Sequence, residues 1–335
     1  MQVSKTKPVS GGTLTSNPPD PLTDPGDDAL DPELRPIVLA QRAQMAARGS
    51  LETVTPAQMR ARAAAQFAEW NRDPEPLAAV RDFRVGAIPV RLYDPAPGEE
   101  GGLLVYLHGG GWVIGDLDLE DAALRRIAAR SGVRILSVDY RLAPEHPFPA
   151  PLDDAEAVVR WAAAGPAELR IDAARIGLGG ASAGANIALG TALRLRDDGG
   201  PALRFLLLMY GPYAGGAATS SYLAFADGRF GLPRTAMDWF WRVYTGAEPG
   251  KGHPCAVPLA AELAGLPPVF LNHAELDILR DDTILLAERL RACGVAVEHR
   301  AYAGAVHGFT QYAKGSALAR GALDDAAAAL ATALG

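Results

Sequence analysis

A serine flanked by small residues is the feature of this sequence best suited to covalent chemistry. Residues 180–184 read GASAG; a short apolar run precedes them and a helical pattern follows. The letters match G-x-S-x-G, the sharp strand-to-helix turn that presents a nucleophilic serine, here Ser182, at a helix N-terminus. Only hydrogen fits at Gly180 and Gly184, because the chain before and after the serine runs very close. An ordinary glycine-containing turn fits the same letters, so the motif needs support from other residues.

A glycine-rich loop upstream offers backbone N–H groups that could bind a negatively charged oxygen. Residues 108–112 read HGGGW and directly follow the apolar run 103–107, which is typical of a strand buried on both faces. Three consecutive glycines leave their N–H groups unshielded, as an oxyanion hole requires. In lipases and esterases such a loop acts together with the N–H of the residue after the nucleophile, which here is Ala183. A flexible loop without a catalytic role is the alternative.

A serine nucleophile also needs a base, and two histidines follow Ser182 at suitable positions. His299 lies inside a predicted strand, where its side chain would be fixed in the sheet. His307 lies in the loop beyond that strand, where it can reach over the serine. His307 is therefore the better base.

The acid that orients the histidine is expected between the serine and the histidine in the chain. Asp277 closely follows the predicted strand at 269–271, at the edge where the sites of open α/β sheets gather. Glu275 is two residues earlier and remains an alternative, whereas Asp281 and Asp282 better suit the N-cap of the next helix.

These residues need a scaffold, and the hydrophobic pattern predicts one. Short apolar strands alternate with helical segments, which is the signature of a mostly parallel sheet flanked by helices. A hairpin-like pair of strands at 80–93 precedes them, and two amphipathic helices, at 31–47 and 56–70, come before the hairpin. The alternation lapses between about 212 and 262. The predicted strands are 103–107, 133–138, 175–178, 205–209, 269–271 and 295–302, and the helices are 119–130, 152–164, 183–197, 282–293 and 316–333.

Composition narrows the class of protein. The 335 residues carry a formal net charge of −7 and no cluster of Lys and Arg, which argues against a nucleic-acid partner. No apolar run is long enough to span a membrane, and residues 1–20 lack the apolar core of a signal peptide, so we expect a soluble, cytoplasmic protein without a membrane partner. Cys255 and Cys293 are expected to be buried free thiols. Residues 1–30 look like a flexible lead-in, and 31–335 like a single domain.

With these motifs the chain resembles the hormone-sensitive lipase family of α/β-hydrolases, the bacterial family IV esterases. The resemblance extends from about residue 30 to the C-terminus and includes the segments DYRLAPE (139–145), AELDILRD (274–281) and HGF (307–309). It implies an α/β-hydrolase fold with a helical cap and no cofactor or metal. It also implies Ser182 as nucleophile, His307 as general base and then acid, and Asp277 as its partner. Gly110 and Gly111 would face the oxyanion beside Ala183.

The resemblance further implies hydrolysis of a small-molecule ester, through an acyl-enzyme, with a short or medium carboxylic acyl chain. The cap would comprise about 31–75 and 212–250, and a homodimer through the last strand is expected from the family. The candidate substrate-binding residues are the aromatic side chains Trp112, Tyr213, Trp239 and Trp241.

The sequence departs from the family pattern at three places beside the expected site. Family members commonly carry an acidic residue before the serine and a second glycine after the turn, where this chain has Ala181 and Ala185. They also often have Tyr-Pro where this chain has Tyr210-Gly211-Pro212, near the expected pocket.

Three rival functions fit the same fold. A ligand receptor is the first, although receptors that resemble this family have lost the catalytic histidine. An enzyme that catalyses elimination or group transfer is the second. The third is a hydrolase of an amide or a lactone, which would use the same three catalytic residues.

Overall fold

The computed structural model describes residues 25–47, 54–167, 169–216, 219–246 and 251–335. Its strands are β1 (Ala79–Val85), β2 (Ile88–Asp94), β3 (Gly101–Leu107), β4 (Arg134–Val138), β5 (Ile171–Ala181), β6 (Phe205–Met209), β7 (Val269–Leu276) and β8 (Val297–Val306). They form one eight-stranded sheet in the order β1-β2-β4-β3-β5-β6-β7-β8. The pairs β1–β2 and β2–β4 are antiparallel, and all other neighbours are parallel. The predicted α/β-hydrolase fold with a mostly parallel sheet is confirmed.

Helices cover both faces of this sheet. They are α1 (Arg35–Ala47), α2 (Pro56–Phe67), α3 (Asp121–Ser131), α4 (Ala150–Ala163), α5 (Ala183–Asp197), α6 (Ser220–Ala224), α7 (Arg234–Thr245), α8 (Arg280–Ala292) and α9 (Ala317–Leu334). Helix α3 packs against α9, and α4 packs against α5. The central strands β4 and β6 are buried along their whole length, as expected of parallel strands covered on both faces. Because β3, β5, β7 and β8 run parallel in this sheet, their carboxyl ends lie at the same edge of the core.

The N-terminal boundary differs from the prediction. The regular helix begins at Arg35 rather than Asp31, because Pro36 has no N–H to donate to the carbonyl oxygen of Pro32. Asp31 still caps the segment: its side chain accepts the N–H groups of Glu33 and Leu34, and its carbonyl oxygen accepts the N–H of Arg35 at 2.9 Å. Leu30 is already buried in the core, so ordered structure begins before residue 31. Residues 1–24 of the predicted lead-in lie outside the described residues. The second helix begins as predicted, with a capping box between Thr55 and Gln58.

The two N-terminal helices contact the region of the glycine loop and the insert after β6. From α1, the guanidinium of Arg42 donates to the carbonyl oxygen of Arg229 in the insert. From α2, Arg60 donates to the carbonyl oxygens of Val113 and Ala143. These side chains therefore tie both helices to the loops that emerge from the carboxyl edge of the sheet.

The cysteine prediction is half right. Both thiols are free, and Cys255 is buried as expected. Cys293 is partly exposed, because it lies at the C-terminal end of α8, where the helix reaches the surface.

Candidate active site

Ser182 occupies a strained turn between β5 and α5. Strand β5 ends at Ala181 and α5 begins at Ala183, so the serine connects them with φ 51° and ψ −121°. A non-glycine residue with positive φ persists only where its surroundings impose it. Here the N–H of Ser182 donates to the carbonyl oxygen of Met209, 2.8 Å away on β6. The predicted turn is present, and its backbone is fixed.

The two glycines of the turn are required by contact with β3. A Cβ atom at Gly180 or at Gly184 would overlap the carbonyl oxygen of Leu107. Strand β3 therefore approaches the turn closely, and the loop that follows β3 passes beside Ser182.

A serine, a histidine and an aspartate form one chain of hydrogen bonds. The Oγ atom of Ser182 lies 2.9 Å from Nε2 of His307, and Nδ1 of His307 lies 2.7 Å from Oδ2 of Asp277. Asp277 is 2% exposed, and its Oδ1 accepts the N–H of Leu279 at 2.9 Å. Since the carboxylate can only accept, the imidazole proton belongs on Nδ1, which leaves Nε2 free to take the serine proton.

The alternative acids and the alternative base lie elsewhere. Glu275 is exposed and accepts the N–H of Gly304, and His299 bonds to His273 on the neighbouring strand. Asp281 accepts the N–H of Ser221, and Asp282 accepts the N–H groups of Tyr213 and Ala214, so both hold the chain after β6. The structure thus brings only Asp277 and His307 to the serine from this set.

The glycine loop presents free N–H groups beside Ser182. Gly110 and Gly111 have φ of 115° and 59°, and within the described residues their N–H groups donate to no protein acceptor. Ala183 is the first residue of α5, where N–H groups find no acceptor inside a helix. All three predicted oxyanion donors are therefore available for a ligand.

Sequence reasoning missed two residues that contact this loop. Glu120, at the start of α3, accepts the N–H of Gly109 at 3.1 Å. Phe240 of α7 covers Gly111, where a Cβ atom would lie within 2.7 Å of its ring. No local pattern marks either residue: Glu120 contacts Gly109 from the start of the following helix, and Phe240 reaches Gly111 from the distant insert.

A buried histidine stabilises the start of the loop. The ring of His108 stacks on Tyr140 with centroids 4.3 Å apart, and its Nδ1 lies 2.7 Å from the carbonyl oxygen of Gly109. The hydroxyl of Tyr140 donates to the carbonyl oxygen of His108 at 2.8 Å. Burial lowers the pKa of His108 to about 4, so the ring is neutral at pH 7.

This buried imidazole makes the stability of the fold depend on pH. The unfolded chain protonates His108 near pH 6.5 and the folded chain only near pH 4, so the free energy of unfolding decreases as the pH falls between these values. We expect a loss of about 3 kcal/mol from this residue. Urea unfolding between pH 7.5 and 4 measures it. His108→Gln should reduce the slope of the unfolding free energy against pH, whereas the exposed control His146→Gln should not. An equal slope in both variants would contradict the assignment to His108.

The four candidate substrate-binding aromatics lie mainly in the interior. Trp112 stacks on Tyr244 with centroids 4.4 Å apart and contacts Trp241 at 4.5 Å, and both tryptophans are buried. Tyr213 is also fully buried, and Trp239 packs partly buried against Phe240. Trp112, Tyr213 and Trp241 therefore expose almost no surface in this conformation. Their contact with substrate stays a prediction.

Aliphatic and phenyl side chains lie beside the hydrogen-bonded side chains of His307 and Asp277. They form a cleft beside His307 and Asp277 that is too narrow to hold a water molecule. The lining residues besides the pair are Phe225, Phe230, Leu232, Leu276 and Ile278.

Two other kinds of site find no support in the described part of the chain. No three His, Cys, Asp or Glu side chains there come close enough to hold a metal ion. None of the helices in the same ranges combines the length and apolar character needed to cross a bilayer.

Comparison with known proteins places this geometry in a family. A family model described as the alpha/beta hydrolase fold matches residues 104–311. Carboxylesterase NlhH of Mycobacterium tuberculosis is 42% identical over 231 residues, which cover 68% of this chain and 72% of that protein. An acetyl esterase of Salmonella schwarzengrund is 34% identical over 266 residues, or 77% of this chain and 81% of that protein.

A solved structure agrees over nearly the whole chain. The hyperthermophilic esterase of the archaeon Pyrobaculum calidifontis superposes with a TM-score of 0.83 at 33% identity, covering 90% of this chain and 98% of that one. The strand order, the GASAG turn and these relatives lead to one assignment. The chain belongs to the hormone-sensitive lipase family of the α/β-hydrolases.

Proposed function

We propose that this protein is a serine carboxylesterase that hydrolyses short- to medium-chain carboxylic esters through an acyl-enzyme. The observation that carries the proposal is the continuous hydrogen-bond chain from Ser182 through His307 to the buried Asp277. Each of the three follows a different parallel strand, and all meet at the carboxyl edge of the sheet. The carboxylesterase and acetyl esterase names of the relatives support the same activity.

The proposed reaction has two acyl-transfer steps. Nε2 of His307 takes the Oγ proton as Ser182 attacks the ester carbonyl carbon, and Asp277 stabilises the imidazolium that forms. The imidazolium then gives its proton to the leaving alcohol as the carbon–oxygen bond breaks. In the second step His307 takes a proton from the water that attacks the acyl carbonyl. The imidazolium then gives this proton to Oγ of Ser182 as the acyl carbon–oxygen bond breaks, which releases the acid and the free serine. No cofactor enters this sequence.

The oxyanion of each tetrahedral intermediate would be bound by three N–H groups. Gly110 and Gly111 offer theirs from the glycine loop, and Ala183 offers the N–H at the start of α5. A donor of this kind contributes about 3 kcal/mol to the stability of the transition state. The dipole of α5 adds to the effect, since its positive end lies at the serine.

We further propose that α1, α2, α6 and α7 form the cap that sets the size of the substrate. Arg42 joins α1 to the insert, and Phe240 of α7 lies over the glycine loop. Strand β8 lies at the edge of the sheet, and dimerisation through it stays a prediction.

Substrate size gives a direct test of this proposal. Because Phe230 narrows the cleft beside His307, kcat/KM for p-nitrophenyl esters should fall as the acyl chain lengthens from acetate to decanoate. Phe230→Ala should raise the octanoate-to-acetate ratio of kcat/KM roughly tenfold, the discrimination expected of one or two methylene contacts. Phe83→Ala, at a ring that contacts Trp161 far from the site, controls for a general loss of packing. An unchanged ratio in Phe230→Ala would place the acyl chain elsewhere.

A further inference from the structure

Glu120 is a buried acidic side chain that the proposed reaction does not yet use. It is 4% exposed and lies directly beneath the glycine loop. Its Oε1 accepts the N–H of Gly109 at 3.1 Å, and its Oε2 accepts the hydroxyl of Tyr106 at 2.6 Å. Gln311, in the turn after His307, places its Nε2 3.5 Å from Oε1. One carboxylate thus joins the strand before the loop, the loop itself and the histidine segment.

Gly109 separates this carboxylate from the serine. A Cβ atom at Gly109 would lie 3.1 Å from Oε1 of Glu120 and 3.5 Å from Cβ of Ser182. The N–H of Gly109 is directed to Glu120, whereas the N–H groups of Gly110 and Gly111 donate to no acceptor in the described residues. The carboxylate therefore fixes the backbone of Gly109, which directly precedes the two free N–H donors.

We propose that Glu120 is a positioning residue of the ester hydrolysis. It holds Gly109 so that the next two N–H groups stay aimed at the oxyanion, and its negative charge stabilises protonated His307. The inference rests on the proposed function, because it assigns Glu120 to that same reaction.

The surroundings of Glu120 determine how strongly its charge acts on His307. Within the described residues no Lys or Arg forms a salt bridge with Glu120, and Arg126, which shares its cavity, pairs with Glu75 and Asp324. Burial is the largest effect and raises the pKa of Glu120 above its ordinary value, although hydrogen bonds from Tyr106, Gly109 and Gln311 and the charge of His307 lower it. Asp277 faces His307 from its other side. Lys314 and Arg320 line the same cavity, and Tyr106, Tyr140 and Tyr210 also lie around Glu120.

Glu120→Gln removes the negative charge of the side chain and keeps its shape. The amide oxygen can still accept from Gly109, and the amide N–H can donate to the hydroxyl oxygen of Tyr106, so the loop keeps its anchor. Without the negative charge, protonated His307 is less stable. The acid limb of kcat/KM against pH should therefore move to lower pH than in the wild type. Asp118→Asn is the matched control on the same turn, because the Asp118 side chain is 79% exposed and its charge is screened by water.

Glu120→Ala removes the anchor as well. We expect kcat to fall about a hundredfold with KM within about threefold, because donors misaligned with the oxyanion weaken transition-state binding more than substrate binding. If Glu120→Ala does not fold, Tyr106→Phe is measured in its place, because it removes one hydrogen-bond donor to the carboxylate. We expect its kcat to fall as well, but by less than in Glu120→Ala. A Glu120→Gln profile that superimposes on the wild type, or a folded Glu120→Ala with unchanged kcat, would overturn the proposal. Failure of the wild-type protein to hydrolyse any ester would instead overturn the proposed function.

Discussion

Ser182→Ala should abolish ester hydrolysis while leaving the fold intact. The substitution removes the Oγ atom that lies 2.9 Å from His307 Nε2, so no acyl-enzyme can form. In serine hydrolases the loss of the nucleophile costs about a millionfold in kcat, and the remaining rate comes from binding and the oxyanion donors. Hydrolysis of p-nitrophenyl acetate, measured against the buffer rate, gives this ratio.

The fold should survive because the turn does not depend on the hydroxyl. Its backbone is held by the hydrogen bond from the Ser182 N–H to Met209, which alanine retains. The melting temperature of Ser182→Ala should therefore lie close to that of the wild type.

Ser316→Ala provides the opposite control. Its Oγ accepts the N–H of Ala319 at the N-terminus of α9, and losing such a cap costs about 1 kcal/mol of stability. This variant should melt earlier yet keep its activity.

A fluorophosphonate reagent tests the same serine independently of turnover. It should label the wild type and Ser316→Ala with one equivalent each and leave Ser182→Ala unlabelled. Labelling of Ser182→Ala, or hydrolysis by it at more than about a thousandth of the wild-type rate, would contradict the role of Ser182 as nucleophile.

The sequence predicts the parts of this site that depend on local geometry. A serine between two glycines, after an apolar run and before a helical pattern, favours a sharp turn, and the structure has that turn at Ser182. The position of His307 beyond a predicted strand end, which is also local, distinguishes it from His299. The choice of Asp277 over Glu275 comes from the structure, where Asp277 bonds to His307 and Glu275 accepts the N–H of Gly304. The α/β-hydrolase fold follows from the alternation of strands and helices, and it is confirmed.

The remaining features depend on contacts between distant segments. A sequence identifies Trp112 and Trp241 as large aromatic residues but not that they face each other in the interior. Likewise, nothing near Glu120 in the chain indicates that its carboxylate reaches Gly109.

Asp277→Asn is the second substitution with a large expected effect, and the structure explains why. Oδ1 of Asp277 accepts the N–H of Leu279, so the oxygen of an asparagine is best placed there. Its NH₂ group must then face Nδ1 of His307, 2.7 Å from the position of Oδ2. The imidazole can accept that bond only if its proton moves to Nε2.

A proton on Nε2 prevents His307 from taking the proton of Ser182, although every atom keeps its place. We therefore expect kcat to fall about ten-thousandfold in Asp277→Asn, with little change in melting temperature. Glu275→Gln is the matched control: Glu275 is exposed, two residues earlier, and glutamine can still accept the N–H of Gly304. Its kcat should stay within about threefold of the wild type. If Glu275→Gln lost as much activity as Asp277→Asn, Glu275 would be the catalytic acid. The hydrogen bond from the Leu279 N–H to Asp277 would then not determine the tautomer of His307.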